Sequence, residues 1–217
     1  MLSTADEGSA NQRLTFNETT MNINLQENHA ELRSRVRRIT DKYPMAYWKQ
    51  LDAERTYPAE FIDELSRSGL LSVLIPKAYG GEGRTLTEAV AVMEEIQASG
   101  CNGASGHAQM YIMGTLLRYG NEDQKRRYLP KIATGEMRLQ VFGVTEEHTG
   151  SDTTKLRTFA EKVDGGFRVN GHKFYIGRGQ YSDLMLLLAR TTPVEKVKKK
   201  TDGLSIFLVD MRAAKDK

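Results

Sequence analysis

The hydrophobic pattern of this 217-residue sequence changes period near residue 136, and that change narrows the possible folds more than any motif does. Upstream, Leu86, Ala89, Val90, Met93 and Ile96 recur at helical spacing, behind a Thr85/Glu88 capping box and ahead of Gly100. Downstream, Phe167 and Val169 alternate with polar neighbours after the hairpin signal Asp164-Gly165, and apolar runs at 138–144, 156–163, 183–189 and 204–209 read as strands. Helices first and strands last make an α+β multi-domain chain, a helical bundle followed by an antiparallel β-barrel or sandwich. The expected divisions are a disordered leader at 1–22, a helical domain at 23–136 and a β domain at 137–217.

Within the helical part, Leu32, Val36 and Ile39 give a narrow apolar stripe over about 25–39. Pro58 is placed to open a helix carrying Phe61, Ile62 and Leu65, and Gly69 to stop it. A mostly apolar helix is expected over Ser105–Tyr119, ending at Gly120. Asn121 then caps a helix with Glu122 and Asp123 in its first turn, which Pro130 bends or shortens.

Where the period changes, a strand runs into the polar loop Gly143-Val144-Thr145-Glu146-Glu147-His148-Thr149-Gly150-Ser151-Asp152. Free backbone N–H groups, hydroxyls and a glycine that admits close approach suit an anionic or dinucleotide ligand, though an ordinary turn has the same composition. Composition excludes several other chemistries. The 31 basic and 28 acidic residues are interspersed, so no field points to nucleic acid, and the run Lys196, Lys198, Lys199, Lys200 reads as a solvated loop. Cys101 is the single cysteine and His29, His107, His148 and His172 are scattered, so neither a disulfide nor a metal site is expected. No apolar run reaches the length of a membrane span, no secretory pattern opens the chain, and a cytoplasmic location is expected.

Several ordered motifs resemble the acyl-CoA dehydrogenase family. They are Pro76-Lys77-Ala78-Tyr79-Gly80-Gly81, the run from Gly120-Asn121-Glu122-Asp123-Gln124 through Pro130 to Gly135-Glu136, Gly143-Val144-Thr145-Glu146 with Gly150-Ser151-Asp152, Asn170-Gly171-His172-Lys173 with Tyr175-Ile176, and Ser182-Asp183 before Leu188-Ala189-Arg190. The resemblance covers about residues 25–212. It implies FAD as cofactor, an acyl-CoA thioester as substrate and α,β-dehydrogenation, with a carboxylate removing the α-proton and the β-hydride passing to flavin N5. An electron-accepting flavoprotein is the implied partner. The family's usual catalytic Glu lies in a C-terminal helical domain that this sequence stops short of, so no catalytic residue is assigned and an N-terminal fragment or truncated form is expected. Apolar surface that those helices cover would then favour a homo- or hetero-oligomer.

Position by position, the resemblance implies that Phe142 and Val144 line the isoalloxazine and that Thr145 hydrogen-bonds it. Gly150 and Ser151 approach the pyrophosphate, with Ser151 also touching the CoA portion. Tyr175, Ile176 and Gly177 occupy the place of the Trp-Ile-Thr or Trp-Ile-Ser element that shields one flavin face. Three departures stand out: Gly177 brings no hydroxyl toward N5, Glu147 replaces a proline, and Thr149 stands where a smaller residue is preferred. Two further readings remain open, a non-catalytic flavin-binding or partner protein of the same fold and an acyl-CoA oxidase-type flavoprotein.

Overall fold

The structure is a computed structural model that describes residues 29–212; the expected leader at 1–22 and the start of the first helix at Leu25 lie outside the described residues. Among the described residues the helices come first: α1 (Ala30–Thr40), α2 (Met45–Glu54), α3 (Ala59–Arg67), α4 (Leu86–Ala98), α5 (Ala104–Tyr119) and α6 (Glu122–Ala133). Leu32 and Val36 of α1, Phe61, Ile62 and Leu65 of α3, and Val92 and Ile96 of α4 share one buried core, the stripe that their spacing predicts. Both expected caps form. Thr85 Oγ1 accepts from Glu88 N at 3.3 Å while the Glu88 carboxylate accepts from Thr85 N at 2.8 Å, and Asn121 makes the same exchange with Gln124.

Helix α2 is not expected from the sequence, α6 continues past Pro130, and Gly120 ends α5 as expected. Helix α2 carries no apolar stripe and none of its residues is buried, so periodicity does not announce it; Tyr47 and Trp48 hold it by edge-on contacts of 4.9 Å to Tyr43 and 5.0 Å to Phe61. Helix α6 runs through Pro130 to Ala133, since a missing N–H in the last turn costs a single bond. Gly120 ends α5 at φ −64°, outside the left-handed region. Its lack of a side chain serves close approach, because a Cβ would stand 2.6 Å from the Leu116 carbonyl oxygen.

The strands are β1 (Leu139–Gly143), β2 (Phe159–Val163), β3 (Gly166–Asn170), β4 (Leu184–Arg190) and β5 (Leu204–Asp210), and they form one mixed sheet instead of the expected antiparallel barrel or sandwich. Central β4 pairs antiparallel with β5 along its whole length and parallel with β1 and β2 along its other edge. The physical reason is legible in Leu184–Leu188: an apolar run without alternation suits a strand covered on both faces, as parallel strands are. Asp164-Gly165 closes the β2–β3 hairpin as expected, with Gly165 at φ +78°. A second core joins the two parts of the chain, packing Ile112 and Met113 of α5 and Leu129 and Ile132 of α6 onto Leu139, Leu184 and Leu186. No helix among the described residues is long and apolar enough to cross a membrane.

Candidate functional site

One edge of β4 is shared. β1 occupies Leu184–Leu187, β2 begins opposite Arg190, and the chain between them, 144–158, must leave the sheet and return. The polar loop singled out in the sequence is this excursion. Glu146 and Thr149 exchange backbone hydrogen bonds of 2.9 and 3.1 Å, forming a tight turn with Glu147 and His148 exposed at its tip. Thr149 Oγ1 then donates to the Asp152 carbonyl, and the Asp152 carboxylate accepts from Thr154 N at 3.2 Å and Thr154 Oγ1 at 2.5 Å. Those bonds, that from the hydroxyl first, hold its pKa below the ordinary carboxylate value.

Glu146 is the buried centre of the loop, 7% exposed. Its Oε1 accepts from Lys173 Nζ at 2.8 Å, Thr158 Oγ1 at 2.5 Å and Thr158 N at 2.9 Å, and its Oε2 accepts from Arg157 N at 2.6 Å. Burial by itself would raise the carboxyl pKa; Lys173, the Thr158 hydroxyl and the two N–H groups outweigh it and bring the value down to about 2. Lys173 Nζ also donates to the Val144 carbonyl at 3.0 Å, and Phe174 N donates to the Thr145 carbonyl at 2.9 Å.

The structure therefore brings most of the expected residues together. Val144 and Thr145 are tied to the segment that carries Tyr175, Ile176 and Gly177, and Gly150 lies beside Thr145, whose Cγ2 is 4.0 Å from where a Gly150 Cβ would stand. Phe142 is half-buried against the second core. The Tyr175 ring is set apart, 94% exposed, with Phe174 as its aromatic neighbour at 6.3 Å. Tyr175 at φ +55° and Arg178 at φ +64° both hold left-handed backbone that side-chain-bearing residues avoid, and they bracket Gly177. The segment His172–Ile176, reached through Asn170-Gly171, lies outside the sheet.

A dinucleotide fits this donor set on two grounds. Among the described residues, Gly150 N, Ser151 N and the Thr145 and Ser151 hydroxyls have no hydrogen-bond partner, and a Cβ at Gly177 would meet nothing within 4 Å. Sequence reasoning missed Lys173 and Thr158, because pairing across the 27 residues from Glu146 to Lys173 follows no spacing rule. Among the described residues no three His, Cys, Asp or Glu side chains group as a metal site would require.

The profile described as "Acyl-CoA dehydrogenase, N-terminal domain" matches residues 26–136, and that described as "Acyl-CoA dehydrogenase, middle domain" matches 141–216. The chain belongs to the acyl-CoA dehydrogenase family. Similar family members include the mitochondrial isovaleryl-CoA dehydrogenase of Pongo abelii, 32% identical over 191 residues that cover 86% of this chain and 44% of that protein. Among solved structures, the acyl-CoA dehydrogenase of Geobacillus kaustophilus superposes with TM-score 0.78 at 27% identity, covering 86% of this chain and 48% of that one. A glutaryl-CoA dehydrogenase from Mycobacterium smegmatis, solved in complex with FADH2, has TM-score 0.71 at 25% identity, with 86% and 46% covered. The chain thus spans about half the length of the family members it matches. The family's cofactor is FAD.

Proposed function

We propose that this chain forms the flavin-binding part of an FAD-dependent acyl-CoA dehydrogenase, acting on an acyl-CoA thioester and passing electrons to a second flavoprotein. The observation that carries the reading is the joining of two strips by Lys173 Nζ to the Val144 carbonyl and by Phe174 N to the Thr145 carbonyl, beside a loop in which, among the described residues, the Gly150 and Ser151 N–H groups and the Thr145 and Ser151 hydroxyls have no partner. When bound, the flavin would accept hydride from the substrate β-carbon. The protein's own part is orientation. Phe142 and Val144 would supply an apolar wall, Thr145 a hydrogen bond to the ring, Gly150 and Ser151 donors to the pyrophosphate, and Tyr175 with Ile176 an aromatic and aliphatic cover. Ser151 would also meet the CoA portion. Gly177 offers its N–H toward N5 in place of a hydroxyl, which weakens that contact by about 1 kcal/mol. The α-proton base is assigned to no residue of this sequence.

The test is titration of the purified chain with FAD, followed by quenching of flavin fluorescence and by the resolved visible spectrum of a bound ring. Gly150→Val is the informative variant, because its side chain enters open space beside Thr145 and leaves the fold intact. We expect one FAD per chain, weakened about tenfold or more by that variant through loss of close backbone approach. A chain that leaves FAD free at all concentrations, or a Gly150→Val variant with native affinity, refutes the reading.

One observation favours the alternative of a non-catalytic partner protein. Leu86 (70% exposed), Val90 (56%) and Tyr111 (48%) line an apolar groove between α4 and α5. Light scattering separates the two: a chain that stays monomeric as its concentration rises argues against the partner reading.

A further inference from the structure

We propose that Lys173 is a positioning residue for the cofactor, a clamp that sets the separation between the strip 142–145 and the strip 174–177. This rests on the flavin reading above. Lys173 is the residue just before the second strip, and its side chain is 10% exposed. From there Nζ reaches Val144 O at 3.0 Å and Glu146 Oε1 at 2.8 Å, so one ammonium bonds the end of the first strip and the centre of the loop together. Glu146 extends the clamp to a third segment through Arg157 N, Thr158 N and Thr158 Oγ1. Among the described residues the Phe174 N to Thr145 O bond of 2.9 Å acts in parallel, Arg178 Nε reaches the Gln140 carbonyl at 3.5 Å just beyond the two strips, and the exposed Tyr175 ring has Phe174 as its aromatic neighbour. A planar ring between two strips binds only when their spacing is set in advance, and a buried ion pair with its remaining valences satisfied sets spacing better than apolar contact does.

The experiment compares the native chain with Lys173→Met and with the double variant Lys173→Met/Glu146→Gln. The single variant leaves a buried carboxylate without its cation and is expected to unfold readily. The double variant carries no uncompensated charge and is expected to melt close to the native chain. FAD affinity is read from fluorescence quenching, and coupling of the strips from hydrogen exchange at the Phe174 and Thr158 amides. In the double variant we expect affinity to fall about tenfold or more, the factor supplied by losing one hydrogen bond from a charged donor, and Phe174 exchange to quicken by a similar factor. A merely structural role would lower melting temperature and leave affinity and local exchange of the folded double variant unchanged; that result overturns the proposal. If the native chain itself binds no FAD, the flavin reading falls. The clamp is then judged on exchange alone, and native Phe174 protection in the double variant overturns it.

Discussion

Glu146 gives a stability measurement whose sign and size follow from its surroundings. Its carboxyl pKa falls from 4.5 to about 2 on folding, with burial opposing and Lys173, Thr158 and two backbone N–H groups prevailing. A carboxyl group whose folded pKa is depressed contributes stability that is full above its unfolded value and is lost as pH falls toward the folded one. A drop from 4.5 to about 2 is worth about 3 kcal/mol at 1.36 kcal/mol per pH unit. The perturbation is Glu146→Gln, which keeps an acceptor for Thr158 and removes the titration. Urea unfolding, followed by fluorescence of the single tryptophan Trp48, is measured for both proteins between pH 7 and pH 2.5. The native chain should exceed the variant by about 3 kcal/mol at pH 7, and the gap should close below pH 4.5 by about 1.4 kcal/mol per unit. Other carboxylates, Asp210 and Glu88 among them, titrate equally in both proteins and cancel. A gap of the same size at pH 3 and pH 7 would show that the carboxylate is not held ionised by these contacts.

Other perturbations test the framework around the site. Gly81→Ala should destabilise by about 3 kcal/mol in urea melts, because its Cβ would lie 2.1 Å from the Ile75 carbonyl oxygen, which is main chain and cannot turn aside. Thr85→Ala removes the capping box of α4 and should cost about 1 kcal/mol by the same assay. Tyr175→Gly relieves a left-handed backbone at φ +55° and should raise stability by about 1 kcal/mol while lowering FAD affinity, since it removes the proposed aromatic cover. Unchanged stability together with unchanged affinity would mean that neither the strain nor the ring matters.

How much of this was legible in the sequence depends on how far apart the causes lie along the chain. Helix α4 was readable because stripe, cap and terminating glycine fall within sixteen consecutive residues, Thr85 to Gly100. Helix α2 was not, since its contacts come from Tyr43 and Phe61 and leave no period of its own. The loop at 143–152 stood out as a junction of two periods, and the motifs around it pointed to the family. The direction of β1 against β4 was hidden because Leu139 pairs with Leu184, and nothing local records which way a partner so distant will run. The missing alternation in Leu184–Leu188 was the one available sign. Glu146 stood in the sequence as one member of the loop with no role of its own, and its burial and hydrogen bonds identify it as the loop's anchor.

The arrangement of the sheet explains why the loop can be both polar and rigid. β1 and β2 lie on one edge of β4 with only Leu188 and Ala189 between their registers, so both ends of 144–158 are fixed by main-chain pairing. Two buried cations tighten those ends from inside. Lys173 holds Val144 and Glu146 at the start, while the guanidinium of Arg190, 4% exposed, donates to the carbonyls of Thr154 at 2.6 Å, Lys200 at 2.7 Å and Asp202 at 3.2 Å at the finish. What remains between the clamps is short, and the Glu146–Thr149 turn and the Thr149 bond to Asp152 order much of it. Fixing one residue's backbone costs about 1–2 kcal/mol, so a loop of this length without such bonds would take most of a ligand's binding energy merely to become ordered. Here that ordering is completed by folding. The exposed N–H groups of Gly150 and Ser151 can therefore meet a pyrophosphate without first giving up conformational freedom, which is the physical reason to expect tight binding from so few polar contacts.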